Sequence, residues 1–216
     1  MMFQKMFADY ARLFAITKGP KFFRAIAVLF VPSLHIMVVQ RIGYAITCLW
    51  LPLRWPLLVP YAFLHLLIQL AYNVSVPART AIGGGLVLLQ PFGTVIHAGV
   101  RIGRNVTLGC QVVLGIADLK DERVPEIGDE VIIFAGAKVL GPAHVFHHAV
   151  IGANAVVCTD VPAYGEVGGV PARVLRVNQP QQPQQQRRRH QRFQRRPRND
   201  SNVRVYSDKR EGVIHV

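Results

Sequence analysis

The sequence predicts a mainly β fold, a parallel β-helix of hexapeptide repeats, with an α-helical region before it and a disordered tail after it. Three observations predict this. Aliphatic residues recur at every sixth position, at Ile96, Ile102, Leu108 and Leu114, and again at Ile127, Ile133, Val139, Val145, Ile151 and Val157. Val or Ala stands two places before most of them, at Val100, Val106, Val112, Val131, Ala137, Ala143, Ala149 and Ala155. Outside this zone the period is absent: residues 1–73 are apolar and cut by prolines, and residues 178–216 open as a Gln, Pro and Arg tract.

A period of six fits neither the 3.6 residues of a helix nor the alternation of a half-buried strand, and it is a signature of parallel β-helices. Each hexapeptide makes one short strand and one turn, and three make a coil of about 18 residues that stacks on the next. The aliphatic residue points inward, and the smaller one fits where the interior narrows. Gly103, Asn105, Gly128, Gly152 and Asn154 fall near corners, where backbone freedom is needed. Ten positions in phase argue against chance spacing in a β-sandwich.

In residues 1–73, Pro32, Pro52, Pro56 and Pro60 cut the apolar run into pieces. Each piece falls short of the roughly 18–20 residues that a membrane-spanning helix needs. Two to four short helices are expected. They pack on each other, on a partner subunit or on the next domain, or they sit in a membrane interface with Arg24, Arg41 and Arg54 at the rim. Residues 74–177 form the β-helix domain. The open strand edges at its ends call for covers, which the helices supply at one end and "VPAYGEVGGVPARVLRV" (161–177) at the other.

The net charge is +13, and residues 178–216 carry ten Lys and Arg against three acids. Such a tail has too little apolar surface to offset its ordering entropy. Seven arginines between 187 and 198 suit an anionic partner such as acidic lipid, RNA or acidic polysaccharide. Only Phe193 is interleaved among them, so no sequence-specific nucleic-acid binding is expected. Cys48, Cys110 and Cys158 form no disulfide framework, the opening segment has no secretory pattern, and a cytoplasmic location is expected.

The rhythm breaks twice. Ile82 to Ile96 is fourteen residues, two hexapeptides plus two, so "LLQPFG" must bulge. Leu114 to Ile127 is thirteen, two hexapeptides plus one, and "GIADLKDERVPE" is too charged for an inward strand. Loops on a rigid scaffold are where chemistry tends to be placed.

The run "VIHAGVRIGRNVTLGCQVVLG", then "VPEIGDEVIIFAGAKVLGP" and "AVIGANAVVCTDVPAYGEVGGVPARVLR", resembles the serine acetyltransferase branch of the left-handed β-helix acyltransferases. The resemblance covers about residues 35–177. It implies left-handed coils, a homotrimer, and acetyl-CoA in a groove between neighbouring subunits. It also implies a histidine general base acting on the hydroxyl of serine or of a sugar in a surface polysaccharide. Gln90 matches the position of that histidine, and an amide does not take up a proton near neutral pH. Val124 matches a second family histidine, just before a proline in the loop. His97, expected to face outward near a corner, is the remaining catalytic candidate, because imidazole titrates near neutrality.

For the cofactor, the resemblance places Ala135 and Gly136 beside the pantetheine arm. Gly169, Ala172 and Arg173 fall where the adenine end rests, and a cation there suits phosphates. Phe134 and Ile116 each replace a family glycine. His144, His147 and His148 lack the spacing and the upstream partner of a zinc site, so no metal is expected. Two functions follow: an acetyl-CoA-dependent O-acetyltransferase, or a catalytically impaired trimeric scaffold or binding module.

Overall fold

Short parallel strands stack into three faces, in a computed structural model that describes residues 2–17 and 20–178. The expected tail therefore lies outside the described residues except for Asn178. The first face comprises Ala81–Ile82, Arg101–Ile102, Glu126–Ile127 and His144–Val145. The second comprises Val87–Leu88, Thr107–Leu108, Ile132–Ile133, Val150–Ile151 and Gly165–Gly168, with Arg173–Val177 added antiparallel. The third comprises Val95–Ile96, Val113–Gly115, Lys138–Leu140 and Val156–Val157.

The register superimposes the expected rungs. Ile102 pairs with Ile82 and Ile127, Leu108 with Leu88 and Ile133, and Leu114 with Ile96 and Val139. All ten rungs are at most 4% exposed, and the smaller residues two places earlier at most 1%. Leu114 and Ile127 are consecutive rungs on the third and first faces, so the thirteen residues between them are one hexapeptide plus seven rather than two plus one. The loop leaves one corner and returns to the same coil.

The corners stack as well. Between the first and second faces, Asn105, Glu130, His148 and Tyr164 all have φ between 56 and 59°. Between the second and third, Gly93, Gln111, Gly136 and Asn154 form a similar left-handed column, with φ from 55 to 74°. Of the glycines and asparagines expected at corners, only Asn105 and Asn154 take this conformation. Gly103 and Gly128 are required for a different reason: a Cβ on either would press on the backbone of the next coil, at 2.6 Å from Gly128 C and 2.8 Å from His147 N.

Four helices precede the coils: α1 (Met2–Ile16), α2 (Lys21–Leu29), α3 (Pro32–Thr47) and α4 (Leu51–Tyr72). Pro56 and Pro60 do not break α4, which runs through both. Residues 54–72 are consequently long and apolar enough to cross a membrane by length and composition, contrary to the reading from interrupted runs. Arg41 is not at a rim. It is buried against Asp9 at 3.2 Å and donates to the carbonyls of Ile82 and Gly83. Asp9 accepts from the backbone N–H groups of Gly85 and Leu86, Ser33 accepts from Leu88, and Gln40 donates to Thr80. These buried polar side chains of α1 and α3 pair the open edge of the first coil. Burial pushes the Asp9 carboxyl above its usual value, and Arg41 and the two N–H donors pull it part of the way back.

At the far end Val161 and Val167 close the interior, and the antiparallel strand Arg173–Val177 ends the second face. Its Arg176 pairs with Glu166, which places charge on the last edge.

Asp9→Ala leaves Arg41 uncompensated and two N–H groups orphaned, so a loss of about 3–5 kcal/mol is expected in urea unfolding. A change under about 1 kcal/mol would show that the helices hold the coil by apolar contact alone. Gly136→Ala forces a Cβ into a left-handed corner and onto Asn154 Oδ1. It is expected to cost about 1–3 kcal/mol, whereas Gly152→Ala, with φ outside that region and its nearest neighbour at 3.1 Å, costs less.

Candidate functional site

The edge between the second and third faces gathers most of the predicted site residues. The two extra residues of the first coil bulge there, with Gln90 exposed at φ 51° and Phe92 N–H donating to the Gln90 carbonyl at 2.7 Å. Backbone bonds then step up the edge. Gln111 donates to Phe92 at 2.8 Å, Gly136 to Cys110 at 2.8 Å, and Asn154 to Ala135 at 2.9 Å. In the last turn Val156 donates to Gly169 at 3.1 Å, and Ala172 donates to Val156 at 2.8 Å. Gln90, Ala135, Gly136, Gly169 and Ala172 thus follow one edge of the prism, and exposed Arg173 starts the terminal strand beside it.

Along this edge the chain is low. Gly109 has no room for a Cβ, which would stand 2.5 Å from Ala135 N. Gly169 meets nothing nearer than 3.6 Å, so the last turn is open. An extended arm with amide groups fits against such a ridge of exposed peptide. Phe92 and half-exposed Phe134 rise from it on either side of Cys110, and Phe92 lies against Tyr72 with ring centroids 6.4 Å apart. Sequence reasoning did not single out Phe92 or Cys110. Their place on the edge depends on how the bulge shifts the register, which the motif "QPFG" alone does not state.

His97 stands on a different edge, between the third and first faces, where the charged loop leaves the coil. It is exposed and borders a cleft of about 450 Å³ lined by Ser75, Val95, Val113, Ile116 and Leu140. Gly99 N–H donates to His97 Nδ1 at 3.3 Å, so in this arrangement the neutral ring carries its proton on Nε2. A Cβ built on Gly99 would lie 3.2 Å from Val124 Cγ2 and 3.6 Å from His97 Nδ1. His97, Val124 and Ile116, three of the positions singled out in the sequence, therefore meet at one corner.

Gln90 and His97 sit seven residues apart at opposite ends of a third-face strand. The tight turn at Gln90 and the left-handed Gly93 put Gln90 on the edge before the strand Val95–Ile96, and His97 on the edge after it.

In the loop itself Arg123 holds the Asp121 carboxyl below its usual range through a direct hydrogen bond. On the remaining edge Arg104 does the same to Asp129. The three clustered histidines do not converge there. His144 faces Glu126 at 3.6 Å, His148 pairs with Glu130 at 3.3 Å and stacks on Tyr164 at 4.6 Å, and His147 meets both rings edge-on. Among the described residues no three His, Cys, Asp or Glu side chains form a group suited to a metal ion.

No protein-family model matches the chain. A serine acetyltransferase of Staphylococcus xylosus is 40% identical over 105 residues, which are 48% of this chain and 49% of that protein. The chain spans about half the length of the curated relatives it matches. The likeness of folds reaches further. The serine acetyltransferase of Vibrio cholerae superimposes with a TM-score of 0.70 at 25% identity, over 84% of this chain and 68% of that one. A serine acetyltransferase solved as a complex with CoA gives 0.66 at 27% identity, over 81% and 69%. The chain is a left-handed parallel β-helix with a helical cap, similar in the sequence of its coils and in its fold to serine acetyltransferases.

Proposed function

We propose that the protein is an acetyl-CoA-dependent O-acetyltransferase that works as a homotrimer, with a small hydroxyl compound of the serine class as acceptor. The observation that carries this reading is the single edge shared by Gln90, Ala135, Gly136 and Gly169, on a fold similar to that of a serine acetyltransferase solved with CoA. The names of the relatives point to serine and none to a polysaccharide. Residues 74–177 act as the acyltransferase domain, capped by residues 1–73 and followed by a basic tail, 178–216, open to an anionic partner. The work is placed inside the cell, with any membrane contact peripheral.

Acetyl-CoA would supply an activated acetyl thioester. Ala135 and Gly136 would flank its arm with bare backbone, and Arg173 would offer a cation to its phosphates. The acceptor hydroxyl still needs a group that takes its proton. Gln90 lacks that capacity and serves instead to orient the hydroxyl or the thioester carbonyl by its amide.

His97 adjoins Gly99, as does Val124, the position that matches the second family histidine. To act as a base through Nε2 it must release the 3.3 Å contact from Gly99, and an exposed bond of this kind contributes only about 1 kcal/mol. Since Gln90 and His97 occupy opposite corners, the site is composite, with the Gln90 edge of one protomer facing the His97 corner of its neighbour. His97 takes the hydroxyl proton as the ester bond forms, and gives it to the departing thiolate.

A second reading, the catalytically impaired trimeric scaffold, is favoured by the amide at position 90. Release of free thiol from acetyl-CoA in the presence of serine separates the two. Turnover by the natural protein, lost at least tenfold in His97→Ala, is the expected outcome. Gln90→His is expected to raise the rate by about 10²-fold or more, the low end for an added general base. A silent natural protein that gains turnover only as Gln90→His would establish the scaffold reading. Calorimetry with CoA supplies the second check. Phe134→Gly clears the edge and is expected to tighten binding several-fold, while absence of binding by either form at millimolar CoA would remove the transferase.

A further inference from the structure

The two long faces of α4 have opposite fates. At about 100° per residue, Tyr61, His65, Ile68 and Tyr72 fall on one side. Tyr61 fills the space over Gly43 of α3, Ile68 and Tyr72 pack on the coil core, and Tyr72 also meets His35. Trp55, Val59, Phe63, Leu66, Leu67 and Leu70 fall on the opposite side, and all are exposed, from 46% at Leu67 to 74% at Val59 and Leu70. This stripe is about 22 Å long and contains no charged residue. Trp50, 82% exposed, precedes the first turn of the stripe, whereas Arg54, seven residues before Tyr61, falls on the Tyr61 side of the helix with its Nε buried.

Charge is segregated in the same sense. Residues 74–177 hold eight Lys and Arg and eight Asp and Glu, so the β-helix domain is neutral. Residues 1–73 hold seven Lys and Arg against Asp9 alone. Lys5, Arg12 and Arg41 are engaged with carbonyls of the first coils, and the sequence of the helical zone also contains Lys18, Lys21, Arg24 and Arg54. The tail adds ten more against three acids. An apolar stripe with an aromatic end, in a segment whose sequence is positively charged, is complementary to a lipid surface with anionic headgroups.

We infer that α4 lies in the plane of an anionic lipid surface, with the Trp55 to Leu70 stripe immersed and the Tyr61 to Tyr72 face kept on the protein. The helix does not cross the bilayer, because a crossing would strip that second face from α3 and the coil core. This inference does not rest on the acyl-transfer reading.

Both tryptophans of the chain, Trp50 and Trp55, belong to this surface, so intrinsic fluorescence reports on it alone. The full chain is mixed with vesicles of phosphatidylcholine, with or without about one-third phosphatidylglycerol. The expected result is co-sedimentation with the anionic vesicles, accompanied by a blue shift of the emission. A chain carrying Val59→Ser, Phe63→Ser and Leu70→Ser, all exposed positions, is expected to keep its circular dichroism and to lose at least tenfold in vesicle affinity. Unchanged binding of that variant, with binding abolished by salt in both forms, would assign the contact to the basic tail and overturn the inference. No vesicle binding, together with a natural protein that sediments as a larger assembly than the variant, would show that a second copy covers the stripe and would equally overturn it.

Discussion

A stack of parallel coils must end, and its first turn then carries backbone groups with no coil beneath them. Along a parallel strand these groups alternate in direction, so the bare edge presents N–H and C=O groups together. A cap made of acceptors alone or donors alone would leave half of them buried and unpaired, at about 1–3 kcal/mol each. The Asp9 and Arg41 pair answers both needs. The carboxylate takes the N–H groups of Gly85 and Leu86, the guanidinium gives to Ile82 and Gly83, and the two charges offset each other at 3.2 Å. Ser33, Gln40 and Arg12, the last through the Gly85 carbonyl, extend the same pairing along the first coil. The order of every coil above rests on this first one being fixed.

Stacking also turns sequence repeats into columns. Once the first coil is fixed, each corner residue lies over its counterpart in the coil below. A site on such a scaffold is an edge rather than a pocket, and its members come from residues as distant as Gln90 and Gly169. The same rule keeps Gln90 and His97 apart, because residues that flank one strand sit on different edges whatever their chemistry. Catalysis that needs both edges must recruit the second from another protomer.

The rungs were legible because burial inside a narrow prism admits one aliphatic residue per strand, and ten residues in phase leave no second interpretation. The loop was miscounted because a repeat count does not say which face the chain rejoins; only the pairing of Ile102 with Ile127 does. The cap was missed for a different reason. Asp9, Ser33, Gln40 and Arg41 are single polar residues scattered through an apolar run, and hydropathy reads Arg41 as a rim charge when it is buried and paired. Left-handed corners at Glu130, His148 and Tyr164 were likewise invisible. Pairing with the adjacent coils outweighs the cost of about 1 kcal/mol or more that such residues bear in that conformation. Within the site, the edge was legible through resemblance, but the meeting of His97, Val124 and Ile116 was not, since it depends on where the loop folds back.

The cap joins the two ends of the argument. Through α1 and α3 it is bound to the first coil by buried polar pairs, and through α3 it holds α4, whose other face is apolar and open. A lipid surface that takes up α4 therefore takes hold of a rigid body, because α4 cannot tilt away from α3 without uncovering Ile68 and Tyr72 and loosening the helices that pair the first coil. The prism would then stand at a fixed angle to the surface. The Gln90 bulge is at the end of the prism next to the helices, where Phe92 meets Tyr72, and Gly169 is in the last turn at the far end.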